Sequence, residues 1–462
     1  MTQPQGRTAI VAEHVTGLRF EDLPAAVVRK AKDVVLDAIA CQLACSQLPH
    51  GRMAIEYARR QGASPVATVL GTDLRTGVEQ AALVNGIFGH GDEIDEPRHR
   101  SAVLLPAVLA AAERERASGR DLVVALVAGY DVAARLDKAG LSLDGLAPRN
   151  FQEGSVPGSV AAAAAVGRLL GLSRDELRAA MGLGAEQSCG LQAMRLESGH
   201  MNKSVHMGIG ARNGLTAAYL AQVGYGSGVL TILESPYGIF DAFVPEAADA
   251  DQMVHGLGTR FDILDTGFKR FSAGRPIHSA IALVLDIMAE QGLTAADLDG
   301  IVVRLPTLEH GLLSGSRTLN VNIEYCVAVA AVDGELTWEQ YAEEKRQDPA
   351  LRALWPRVTS RGDPELDEIK RAGLGARPAG VELTTRDGRT FAGTMLYPPG
   401  HPENPFTPAE MEDKFRRWSG RVLPAEQVSQ VWEIVNDLDA LPDVNELADL
   451  LRVPAASRAR GR

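Results

Sequence analysis

The chain has 462 residues, a formal net charge of −12, 45% hydrophobic residues and 23% charged ones. This length accommodates two or three domains around sizeable cores, and the composition excludes a disordered chain. The balance is acidic, with an isoelectric point near 5.4, whereas a nucleic-acid binder usually shows a basic patch. No run of Lys or Arg appears before Arg458, Arg460 and Arg462, which read as a solvated tail.

Aromatic residues make up only 5%, while Ala and Leu abound, a balance that favours packed helices over a β-sandwich. Cys41, Cys45, Cys189 and Cys326 form no CxxC and have no histidine at zinc spacing, so no structural metal is expected. Cys41 and Cys45, four apart in an apolar helical pattern, are expected in a core. The N-terminus lacks the basic-then-apolar layout of a signal peptide, and no uninterrupted apolar run is long enough to span a bilayer. The expected setting is cytoplasmic and reducing, with no membrane or nucleic-acid partner.

Taken in order, the first half reads as helix after helix. Val27, Val28, Ala31, Val34, Val35, Ala38 and Ile39 follow the helical period behind Pro24. Similar patterns cover about 77–89, 101–118, 121–137, 156–171, 174–189 and 206–223. The stretch SVAAAAAVGRLLGL carries small residues on every side, which places it at the centre of a bundle. Near residue 265 the character changes: Ala280–Met288 is helical, Ile301–Leu305 is a strand, and Val327–Val332 belongs to a helix. VELTTRDGRTFAGTM then reads as a hairpin turned at Asp387-Gly388. Helical patterns return at 407–418, 424–436 and 443–451. The fold class is therefore mainly α: a large all-helical domain, 1–265 with 397–462, carrying an inserted smaller α+β lid domain, 266–396.

Four segments hold polar residues that helix packing does not explain. NGIFGHGDEIDEPRHRSAVLLP puts His90, Asp92, Glu93, Asp95, Glu96, Arg98 and His99 into one interhelical loop. Gly89 and Gly91 are expected to let its backbone turn tightly, and Ser101 to N-cap the next helix. A carboxylate beside a histidine can fix its tautomer. In ESGHMNKSVHMGIGARNG, Lys203 and His206 share a helical face if the helix starts near Ser204, with Lys203 at an anion-attracting N-terminus. TGFKRFSAGRPIHSAIAL gathers Lys269, Arg270, Arg275 and His278, charges that suit a substrate with several carboxylates. In NVNIEYCVAVAAVDG, Asn322 and Tyr325 precede an apolar helix. No dinucleotide fingerprint, P-loop, GxSxG or HExxH is present.

In this order the segments resemble the MmgE/PrpD superfamily, which includes 2-methylcitrate dehydratase, cis-aconitate decarboxylase and iminodisuccinate epimerase. The likeness runs over about 8–440 and is also carried by GYDVAARL and by IEYCVAVAAVDGEL. It implies a helical domain with a smaller α+β lid, a homodimer, and an active site in the cleft between domains. It matches Asp92 to the first acid of the family's Asp-rich loop, His99 to the histidine before the following helix, Lys203 to the family lysine and His278 to the lid histidine. Tyr325 matches a tyrosine near the cleft. The sequence departs from the family at NFQEGSVPG, where Gln152 stands in place of a histidine and cannot act as acid or base near neutral pH.

The resemblance implies gain or loss of a proton at a carbon next to a carboxylate of a small di- or tricarboxylate, with no cofactor or metal. Developing charge on the carboxylate must be stabilised, a task for Lys203 and Arg275, with Lys269 as a further candidate. His99 and His278 form the acid–base pair, Asp92 orients His99, and Tyr325 is an alternative acid. Gln152, His206 and Asp95 complete the substrate-binding candidates. Dehydration is the first expected outcome, epimerisation or isomerisation the next, decarboxylation the last. A non-catalytic carboxylate-binding homologue is the reading from another class.

Overall fold

The computed structural model describes residues 6–196, 201–246, 248–372 and 376–453. The arginines of the C-terminal tail and Glu197–His200 lie outside them. The structure is 62% helical with 8% strand, a mainly α fold. It divides into two compact units, the first made of 1–91, 98–266 and 408–462, the second of 92–97 and 267–407.

The first unit is helical. Its principal helices are α1 (Arg7–Gly17), α2 (Ala25–Cys45), α3 (Val78–Gly89), α4 (Arg100–Glu115), α5 (Gly119–Leu136), α6 (Val156–Leu169), α7 (Arg174–Glu186) and α8 (Met201–Gln222). The alanine-rich segment is indeed central: every residue of α6 from Val156 to Gly167 is buried. It packs against α4, α5, α7 and α8. Side chains this small let helix axes come close. A Cβ on Gly214 of α8 would lie 2.5 Å from that of Ala162, and one on Gly208 would lie 2.2 Å from the carbonyl oxygen of Leu83 in α3. Ser118 and Ser173 cap α5 and α7, each accepting from the backbone N–H three residues on. Cys41 and Cys45 are both buried in α2, as the apolar period requires.

Three C-terminal helices, Pro408–Ser419, Ala425–Asn436 and Asn445–Leu450, complete this unit. Pro408–Ser419 packs along α2; its Lys414 Nζ lies 2.5 Å from the Asp37 carboxylate, both side chains buried. A short antiparallel ribbon pairs Ala67–Thr68 with Arg75–Thr76. Glu113 of α4 holds it, accepting from the Thr68 N–H at 3.0 Å and its hydroxyl at 2.7 Å.

The second unit is α+β. Strands β1 (Leu298–Leu305), β2 (Val358–Gly362), β3 (Ala379–Thr385) and β4 (Thr390–Met395) form a sheet in the order β2-β1-β3-β4. β1 pairs with β2 in parallel and with β3 antiparallel. β3 and β4 form the hairpin read from the sequence, with Gly388 at φ 87° in its turn, where a Cβ would be strained. Ile301, Val303 and Leu305 alternate into the core. There they meet α9 (His278–Gln291) and α10 (Ile323–Asp333), which run over the sheet with Ile281, Val284 and Val327 buried. No helix among the described residues is long and apolar enough to cross a membrane.

Candidate active site

In the first unit, the end of α3, the start of α4 and the start of α8 supply one group of polar side chains. His99 precedes α4 with φ 60° and ψ 14°, a left-handed backbone that costs a residue with a Cβ about 1–2 kcal/mol. Such strain is retained where the surroundings hold a side chain in a particular place. The His99 ring is buried, and its centroid lies 4.0 Å from that of His90, the residue that closes α3. Lys203 Nζ lies 3.4 Å from His99 Nε2. With Lys203 as the ammonium, it is the donor and Nε2 the acceptor. The contact is loose.

The loop differs from the sequence reading in two respects. Ser101 does not cap α4, because the helix begins at Arg100 and Ser101 sits buried in its first turn. The left-handed conformation falls on His99 and on neither glycine, although Gly91 does close a tight turn, its N–H donating to the Phe88 carbonyl at 3.1 Å. A Cβ on Gly91 would meet Cys45 Cβ at 2.6 Å, and one on Gly89 would meet Ala102 Cα at 2.8 Å.

Helix α8 is already formed at Met201, earlier than the periodicity predicts, so Lys203 lies within it. His206 follows one turn later on the same face. Burial lowers the His206 pKa, and the Lys203 charge lowers it further. Gln152 is buried beside this group; its side-chain oxygen accepts from Gln192 Nε2 at 2.9 Å. Gln192 Nε2 also donates to the carbonyl of Phe151 at 2.8 Å. A narrow cavity of about 20 Å³ is lined by His99, Arg98, Arg100, Asp137 and Glu153, with apolar walls from α4, α5 and α6. Arg100 pairs with Asp137 at 2.5 Å.

A second group lies in the second unit. Asp92 is buried, and both its oxygens are engaged: Ser272 donates its hydroxyl to Oδ2, and Asn320 Nδ2 donates to Oδ1 at 2.9 Å. Burial raises the Asp92 pKa, and these hydrogen bonds draw it back in part. Lys269 is also buried, 2.5 Å from Glu93 and 3.5 Å from Asp95. Burial lowers its pKa, but the two carboxylates outweigh that and raise it overall. Arg275 begins the short turn into α9, and its charge opposes that of Lys269. His278 is the buried first residue of α9, its Nε2 3.0 Å from the Ala273 carbonyl oxygen. Tyr325 stands apart from these charges. Its hydroxyl donates to the Gln340 carbonyl, its ring packs edge-on against Trp355, and burial pushes its pKa up to about 12.

The structure therefore joins Lys203 to His99, and Lys269 to Asp95. Sequence reasoning passed over Ser272 and Asn320, which hold Asp92 across sequence separations of 180 and 228 residues. It also passed over Glu153, whose only sequence signal was its place next to Gln152. Asn322, noted in the sequence, is the N-cap of α10, accepting from the Tyr325 N–H.

The family model for the MmgE/PrpD N-terminal domain matches residues 9–251, and that for the MmgE/PrpD C-terminal domain matches 271–440. The chain belongs to the MmgE/PrpD family. Among its MmgE/PrpD relatives, a cis-aconitate decarboxylase-like protein of Aspergillus oryzae is 30% identical, over 97% of this chain and 98% of that protein. Human cis-aconitate decarboxylase is 26% identical, over 97% of this chain and 95% of that one. The 2-methylcitrate dehydratase of Escherichia coli is 26% identical over 63% of each. The MmgE/PrpD relatives named here thus include a decarboxylase, a decarboxylase-like protein and a dehydratase.

Proposed function

We propose that this protein is a lyase that moves a proton at a carbon next to a carboxylate of a small di- or tricarboxylate, with dehydration as the first reading. The observation that carries it is the Lys203–His99 pair, an ammonium 3.4 Å from a buried imidazole held on a strained backbone. Removing such a proton places charge on the carboxylate oxygens, and a fixed ammonium stabilises that charge where water is excluded. The imidazole is the side chain best suited to take up and return the proton near neutral pH.

His278, Arg275 and Asp92 are assigned by family likeness to complementary acid–base, carboxylate-binding and orienting roles. Lys269, Asp95, Gln152, His206 and Tyr325 remain supporting candidates. The chemistry is assigned to these side chains, without a cofactor, and a homodimer belongs to the same proposal. Decarboxylation is the second reading. What favours it is coverage: relatives named decarboxylases align over nearly the whole chain, the dehydratase over 63%.

The test is proton NMR in D2O with cis-aconitate and with 2-methylcitrate. Wild type is expected to consume one of them or exchange deuterium into it, while His99→Asn and Lys203→Met lose at least about 100-fold in rate. Full turnover in both variants would sink the assignment. Absence of any exchange in wild type, with binding retained, would favour the non-catalytic reading.

A further inference from the structure

The cavity beside His99 has a chemistry that the pair with Lys203 does not use. Its volume, about 20 Å³, gives room for about one water molecule and too little for a carboxylate-bearing molecule. Its polar lining is His99, Glu153, Arg98, Arg100 and Asp137, and its apolar lining includes Val103, Ala133 and Ala161. A buried water needs two to four polar partners, and this lining can supply them. Arg100 and Asp137 neutralise each other at 2.5 Å, which leaves the Glu153 carboxyl and the His99 imidazole as the groups suited to proton transfer. Glu153 is itself buried. Its neighbour Gln152 is tied to Gln192 and has no titratable proton to offer.

Resting on the lyase reading above, we propose that this cavity is the water subsite of the enzyme and that Glu153 is the catalytic residue acting on that water. In the hydration direction Glu153 takes a proton from the water as its oxygen bonds to one alkene carbon. The electron pair of the C=C π bond moves to the other carbon, next to the carboxylate, and takes a proton from imidazolium His99. In dehydration the same steps run backwards. His99 removes the carbon-bound proton and leaves the C–H pair delocalised onto the adjacent carboxylate; that pair then forms the π bond as the C–O bond breaks with its pair on oxygen. Glu153 protonates that oxygen, and water leaves. Each direction ends with one proton gained and one lost between the two side chains, restored by exchange with solvent. A decarboxylase has no use for Glu153 in this role, because loss of CO2 needs only one proton returned to carbon.

The experiment uses cis-aconitate and 2-methylcitrate, each incubated with the full-length enzyme in D2O enriched in oxygen-18, with deuterium and oxygen-18 in substrate and product followed by mass spectrometry. Wild type is expected to introduce both labels with one of the probes. Glu153→Gln is expected to lose oxygen-18 incorporation by at least about 100-fold while still exchanging the carbon-bound proton of 2-methylcitrate for deuterium, a step that needs only His99, within a few-fold of wild type. Glu153→Asp is expected to recover part of the loss, and His99→Asn to lose both labels. Ala161→Val, which adds bulk to the cavity lining, is a second test and should depress oxygen-18 incorporation selectively. Oxygen-18 incorporation at the wild-type rate in Glu153→Gln would overturn the inference and leave the lyase reading standing. So would a wild type that introduces deuterium but never oxygen-18. Absence of both labels in wild type would remove the lyase reading and this inference together.

Discussion

His99 concentrates several physical demands in one residue. A left-handed φ, a buried ring and a lysine ammonium at 3.4 Å are separately uncommon for histidine. Asn tolerates the same backbone conformation, so His99→Asn should leave the melting temperature within about 2 °C of wild type while activity collapses. Calorimetry alongside the label assay checks this. Lys269 behaves differently because its partners are buried. Lys269→Met removes a buried cation from beside Glu93 and Asp95, and removing one side of a buried ion pair costs about 3–5 kcal/mol. Lost stability should therefore accompany any lost activity. Arg275→Gln, at a half-buried site, should reduce activity with little change in unfolding midpoint. The sequence placed the charged residues of both groups, because they interrupt apolar periodicity. It could not reveal that Ser272 and Asn320 occupy both oxygens of Asp92, or that Gln192 occupies Gln152, since nothing local encodes a bond across 40 to 228 residues.

Among elements, the long apolar helices were the most legible. The centre of the bundle followed from small residues alone, and the Asp387-Gly388 hairpin from its turn chemistry. That Met201–Lys203 already belong to α8 was not legible, because Asn202 and Lys203 carry no apolar signal. Close helix approach makes a sharp prediction. Gly208→Val drives a side chain into the Leu83 carbonyl, 2.2 Å from the added Cβ, and should destabilise by about 1–3 kcal/mol or more through overpacking. The ribbon at Ala67–Thr68 offers a pH-dependent one. Burial raises the Glu113 pKa to about 7, against hydrogen bonds from Thr68 and the Arg75 charge. A carboxyl raised in the folded state stabilises most below its unfolded pKa and loses that contribution as pH rises through the folded value. Wild type should thus lose stability between about pH 4.5 and pH 7, by on the order of 3 kcal/mol. Glu113→Gln, which keeps the acceptor and cannot ionise, should flatten that slope. Urea unfolding across this pH range measures it, and equal slopes would reject the assignment.

On the scale of the whole molecule, the helical unit is closed by the last helices of the chain. Lys414 neutralises Asp37, and Phe415 and Trp418 are buried with it. Truncation after Thr407 strips that cover from α2 and leaves a buried carboxylate unpaired, so the truncated chain should bind ANS and melt well below wild type. The second unit has a complementary discontinuity. Six of its residues, Asp92–Pro97, are separated from the rest by the sequence from 98 to 266. On the ribosome, that hexapeptide is made long before Ser272 and Asn320, which will satisfy its first carboxylate. At about 5–20 residues per second, the 180 residues from Asp92 to Ser272 take about 9–36 s to synthesise. The protein thus carries a built-in order of assembly: a segment rich in acids waits, unsatisfied, for partners still to be translated. Expressed alone, residues 267–407 should be poorly soluble, and a peptide spanning Asp92–Pro97 supplied in trans should improve their folding yield.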